Sequence, residues 1–159
     1  MLWGAVFNGD NEAAEYFRRN ARDFSERIDT ALVRWTEAAK ALRGGKLAAY
    51  HKTWSYLARR FGLVVVGYCE PKPGVEPSPA DLRQLSETMA REGARLIIHE
   101  PVYSPRIPQA VAREVERQTG QAVRVLRLPV HVGGVPEAKD YFAFIAYLLA
   151  KLGEALRQT

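Results

Sequence analysis

The feature that most constrains this chain is a β-branched run, LVVVGY at residues 63–68, set between segments of helical periodicity. A strand that is apolar at nearly every position, rather than at every second one, belongs to a parallel sheet covered on both faces. Parallel neighbours need long crossover connections, which are usually helices. The rest of the chain supplies that rhythm. Short strands are expected at 46–50, 94–99 and 122–128, and helical stretches at 52–60, 79–91, 109–118 and 138–156. The last helix carries an apolar stripe of Phe142, Ile145, Leu149, Leu152 and Leu156. Ser78 before Pro79, with Asp81 in the first turn, marks a capped helix start. The proline-rich link at 70–79, EPKPGVEPSP, cannot be sheet interior.

A longer element precedes this alternation. Phe17, Ala21, Phe24, Ile28, Ala31, Leu32, Trp35, Ala38 and Leu42 recur at spacings of three and four, predicting a helix over 12–42 capped by Asp10 or Asn11 and ended by Gly44 and Gly45. Such a helix is roughly 45 Å long, more than one small sheet can cover. Its surplus apolar face is expected to pair with a second copy; the alternative cover is the apolar start of the chain, Leu2, Trp3, Val6 and Phe7. The expected fold is therefore a three-layer α/β/α sandwich with a four-stranded parallel sheet, preceded by one long helix. Its two parts are residues 1–45, the opening segment and long helix, and 46–159, the α/β lobe. Residues 63–66 and 96–98 are expected among the most buried.

Composition narrows the chemistry. Hydrophobic residues make up 47% and charged residues 26%, which fits a folded domain and excludes disorder. The single cysteine, Cys69, permits no intrachain disulfide, four-cysteine zinc site or iron–sulfur cluster, so any metal must sit on imidazole or carboxylate. The net charge of +5 is dispersed in alternating signs through Arg18, Arg19, Arg22, Asp23, Glu26 and Arg27, which argues against a nucleic-acid stripe. No run of about 20 apolar residues is present. No glycine-rich phosphate-binding motif occurs, and no serine sits in a nucleophile elbow. Cys69 has no base beside it and reads as a small buried residue, while Glu70 and Glu76 span a proline-rich loop that gives no reason for a fixed separation. The chain is not expected to be an enzyme.

In open parallel sheets ligands bind beyond the carboxyl ends of the strands. All three histidines fall there: His51 after the first strand, His99 at the end of the third, and His131 after the fourth. Glu100 follows His99, and because adjacent strand residues face opposite ways, His99 and Glu100 point to different sides. Each histidine alone is as readily a surface or capping group. Together, His51, Glu100 and His131 share one predicted rim, and imidazole with carboxylate suits zinc or manganese.

These residues carry a resemblance. The pieces DNEAAEYFRRNARDF, YHKTWSYLARRFGL, EPKPGVEPSPADL, IIHEPVYSPR and VGGVPEAKDYF resemble, in that order, the linking helix and C-terminal lobe of the zinc- and manganese-binding solute-binding proteins of ABC importers. The resemblance covers almost the whole chain from about Asp10. It implies a protein of two lobes joined by a rigid helix, with one metal ion in the cleft and two ligands, usually histidines, from the N-terminal lobe. The third ligand, histidine or glutamate at the first strand end of the C-terminal lobe, matches His51. The fourth is normally an aspartate after the fourth strand; Leu128, Pro129, Val130 and His131 stand there instead, so His131 is the nearest replacement. Glu100 matches a glutamate lining the site region.

The resemblance also implies what half a cleft could be: a half-protein completing its site with another chain, a relic keeping the fold without the affinity, or a lobe reused as a cytoplasmic protein-interaction domain. An importer permease is an implied partner if the chain belongs to a larger system. The start, MLWGAVFNGDNE, lacks the basic region and apolar run of a secretory signal, so the expected location is cytoplasmic as written, or extracytoplasmic if the chain is a fragment of a full-length homologue.

Overall fold

The computed structural model describes residues 11–70, 72 and 74–158. Asp10, the other capping candidate, and the apolar segment 1–7 lie outside the described residues. The opening helix α1 spans Asn11–Ala38 and tightens into a 3-10 turn, Ala39–Leu42. Then follow β1 (Lys46–Ala49), a 3-10 turn (Lys52–Trp54), α2 (Ser55–Phe61), β2 (Val64–Tyr68) and α3 (Pro79–Glu92). The chain continues through β3 (Leu96–His99), α4 (Arg106–Thr119), β4 (Arg124–Arg127) and α5 (Tyr141–Arg157).

The strands form one sheet in the order β2-β1-β3-β4, every pairing parallel. Strand alternation divides its two faces. Leu47, Ala49, Leu96 and Ile98 point into a core shared with Trp35, Leu42, Leu148 and Leu152 of the α1, 3-10 and α5 layer. Ala48 and Ile97 point the other way, onto Leu85, Met89, Val111 and Val115 of α3 and α4. This is the expected α/β/α sandwich.

One expectation fails in part. Leu63, Leu96, Ile97 and Ile98 are buried, but Val64 is 43% exposed and Val65 and Val66 are half-covered. The cause is position: β2 is an edge strand with one neighbour, so a continuous apolar run marks a strand between helical layers without placing it centrally. The β1–β2 register also slips between Leu47 and Ala48, whose partners are Val65 and Gly67. Gly67 lets α3 approach there, since a Cβ at that position would stand 2.5 Å from the Leu85 side chain.

Helix ends follow local chemistry. Ser78 and Asp81 form the reciprocal capping box with Pro79 in the first turn, and Asp140 caps α5 by accepting the Ala143 N–H at 2.8 Å. The first half of α1 is largely exposed, Tyr16 and Phe24 included, while Ala31, Trp35 and Ala39 join the core. Among the described residues no helix is long and apolar enough to cross a membrane.

Candidate functional site

The order 2-1-3-4 places a topological switch point between β1 and β3, because the chain leaves β1 toward β2 on one side and later adds β3 on the other. At such a point the outgoing connections diverge and leave a crevice at the carboxyl ends. Backbone pairing continues past the strands there: the Tyr50 N–H donates to the Ile98 carbonyl at 2.8 Å, Cys69 to Ala49 at 2.9 Å, and Glu70 to Tyr50 at 3.0 Å. His51, Glu70 and Glu100, one residue from each of three adjacent strand ends, are thereby held side by side.

His51 is the centre of the cluster. Its Nδ1 lies 3.1 Å from Glu100 Oε2 and its Nε2 lies 3.0 Å from Glu70 Oε2. The imidazole is 17% exposed and the Glu100 side chain 3%. Glu100 is anchored from beneath, since the buried Trp54 indole N–H donates to its Oε1 at 3.1 Å. The Tyr103 ring covers the imidazole with centroids 4.4 Å apart and itself stacks on Tyr50 at 5.3 Å. Burial pushes the Tyr50 hydroxyl above its ordinary pKa, with the nearby Glu70 carboxylate adding to the shift.

The structure thus brings two of the three sequence-predicted residues, His51 and Glu100, into direct contact. His131 is in neither contact; it is exposed, and its Nδ1 donates to the Val132 carbonyl at 2.9 Å. With the Nδ1 proton given to that carbonyl, the lone pair of the neutral ring is on Nε2, one of the two nitrogens through which histidine binds metals. His99 is buried with its Nδ1 donating to the Glu100 carbonyl, and burial holds its pKa below the ordinary imidazole value. Cys69 is buried and its thiol is pushed up to about 12, chiefly by desolvation, so it is no donor to the crevice. Among the described residues no three histidine, cysteine, aspartate or glutamate side chains are arranged to hold one ion. Sequence reasoning set Glu70 aside as part of a proline-rich link, although its place two residues past the end of β2 matches that of His51 past β1.

The comparisons with known proteins come down on one family. The family model described as zinc-uptake complex component A, periplasmic (ZnuA), matches residues 5–155. The chain belongs to the ZnuA family. Among its relatives, the high-affinity zinc uptake system protein ZnuA of Brucella abortus is 23% identical over 111 residues, covering 70% of this chain and 33% of that protein. The zinc-binding lipoprotein AdcA of Streptococcus pneumoniae is 27% identical over 145 residues, covering 91% of this chain and 28% of that protein. This ZnuA-family chain therefore spans about a third of the length of the curated relatives it matches. Its fold is that of the SBP FpvC from Pseudomonas aeruginosa, solved with Ni2+, at a TM-score of 0.73 and 24% identity, with 94% of this chain and 54% of that one covered. A Mn-bound periplasmic metal binding protein from Candidatus Liberibacter asiaticus superposes with the same TM-score at 20% identity, over 96% and 56% of the two chains.

Proposed function

We propose that this chain binds a divalent transition-metal ion, zinc or manganese, as half of a solute-binding site that delivers the ion to an ABC importer. The observation that supports this best is the pairing of His51 with buried Glu100 at the switch-point crevice. A metal-binding histidine commonly donates its second ring N–H to a carboxylate, which fixes the ring and raises the basicity of the other nitrogen. Glu100, clamped by Trp54, is placed to do that for His51, leaving Nε2 for the ion. His131, on the loop after β4, is the second candidate imidazole, outside the His51 cluster, and the remaining donors come from water or a second chain. The proposed role is capture of the ion rather than catalysis.

The partners that go with this reading are an importer permease and the chain that completes the cleft. A second copy is one such chain: the outer half of α1 presents Tyr16 and Phe24 to solvent, and Val33 is 73% exposed. The location that goes with it is the periplasmic one of the family's description. Calorimetric titration with zinc and with manganese tests the reading. Saturable binding that is lost in His51→Ala and weakened in His131→Ala is expected, and a flat titration at sub-millimolar zinc would overturn it.

A further inference from the structure

We propose that Glu70 is a direct metal ligand, forming with His51 a nitrogen–oxygen pair that takes one borderline divalent cation between the ends of β1 and β2. The proposal rests on the reading of His51 as a ligand and adds a donor from a different strand.

Three observations carry it. The first is spacing. Two donors each bonded to one zinc ion at about 2.0–2.1 Å, with an angle of about 90–109° between the bonds, lie about 2.9–3.4 Å apart. His51 Nε2 and Glu70 Oε2 stand at 3.0 Å, already within that window. The second is the hydrogen inventory. A neutral imidazole has one N–H, yet the His51 ring faces a carboxylate oxygen at each nitrogen. With the proton on Nδ1 and donated to Glu100, the Nε2 lone pair confronts the lone pairs of Glu70. A cation between them satisfies both, whereas with no cation one contact needs an additional proton.

The third is preorganisation. The Glu70 side chain is 13% exposed, its backbone N–H is tied to the Tyr50 carbonyl, and its Oε1 accepts the Gly74 N–H at 2.6 Å. Gly74 has a left-handed backbone with φ of +74°, which turns the link so that its N–H faces the carboxylate. One oxygen is thus a fixed anchor and the other is aimed at His51. A mixed imidazole and carboxylate set, with Cys69 buried away from it, favours zinc or manganese over thiophilic ions.

The test is zinc affinity, measured by competition with a chromophoric chelator, for the wild-type chain, Glu70→Gln, His51→Ala and the remote control Glu92→Gln. The amide of Glu70→Gln keeps one oxygen to accept the Gly74 N–H and turns its NH2 toward the His51 Nε2 lone pair, so the loop stays tied while the anionic donor is lost. The expected result is a loss of about 10–100-fold in Glu70→Gln, a larger loss in His51→Ala, and no change in Glu92→Gln. Wild-type affinity in Glu70→Gln, or tighter binding because an internal competitor has gone, would overturn the role of Glu70 while leaving His51 a ligand. No zinc binding by the wild-type chain would overturn both readings together. A crystal structure of the zinc-loaded wild-type chain gives a check independent of any variant: a Glu70 oxygen about 2.0–2.2 Å from the ion supports the proposal, and one beyond bonding distance overturns it.

Discussion

Replacing Trp54 by Phe should separate the support of the crevice from its donors. Trp54 is buried at the end of the 3-10 turn, and its indole N–H is the donor to Glu100 Oε1, in the interior of the lobe. A hydrogen bond to a carboxylate contributes about 1.5–3 kcal/mol, and its loss leaves a nearly fully buried oxygen short of a partner. The missing part of the indole leaves a small void worth on the order of 1 kcal/mol. The combined cost, about 3 kcal/mol, would lower the melting temperature of a domain this long by roughly 10 °C. Urea unfolding measures it, and a double-mutant cycle with Glu100→Gln assigns it. Charge-assisted hydrogen bonds are roughly twice as strong as neutral ones, so Trp54→Phe should cost about 1 kcal/mol less in the Glu100→Gln background. Strict additivity, or a Trp54→Phe chain within about 0.5 kcal/mol of wild type, would refute the claim that the indole clamps the carboxylate.

Gly67→Ala should destabilise by about 1–3 kcal/mol through its clash with Leu85, and Leu85→Ala should rescue part of that loss in the double variant, read by urea unfolding. Cys69 should resist thiol reagents in the folded chain and react at once when denaturant opens the lobe; rapid labelling under native conditions would contradict its burial. Hydrogen bonds from Arg117 and Gln118 hold the half-exposed Glu114 at a pKa of about 2, below its ordinary 4.5. With the folded value depressed, its contribution is present above the ordinary carboxylate range and fades as pH falls toward 2, so Glu114→Gln should flatten the acid limb of stability modestly, and high salt should shrink the difference. Sedimentation with and without zinc tests pairing: a metal-independent dimer places the contact on α1, a zinc-dependent one places the shared ion at the interface, and a monomer throughout rules pairing out.

The parts of the fold legible in the sequence are those set by local rules. The capping box at Ser78 and Asp81 and the period of α1 are written in neighbouring residues and stand where they were expected. The exposure of Val64 was not legible, because strand order within a sheet depends on which crossover lands on which side, and a β-branched run looks alike at an edge and at the centre. The same limit governs the site. His51 and Glu100 could be placed on one rim because each follows a strand, and β1 and β3 do pair. Glu70 follows a strand by the same rule but opens a proline-rich link, a context that suggests variable geometry. Its Oε1 contact with the Gly74 N–H removes that freedom, and no sequence pattern announces such a hydrogen bond.

The site's order is intrinsic to this chain. Among the described residues the groups that orient His51 are Glu100 from the end of β3, Trp54 from the turn after β1, Tyr50 beside the ring, Tyr103 from the loop before α4, and Glu70 from the end of β2. Trp54 and Glu100 are buried, so the clamp beneath the imidazole is part of the packed lobe and not a surface ornament. Restricting the ring before an ion arrives removes an ordering cost from binding. What the chain lacks is donor number: no three ligating side chains converge among the described residues. Affinity in such a half-site should therefore be limited by how many further donors a second surface contributes, while the geometry offered to the ion is already set by β1, β2 and β3. On the proposed reading, a completing chain would need only to bring donors to His51, because the ring is already aligned by Glu100, Trp54 and Tyr103.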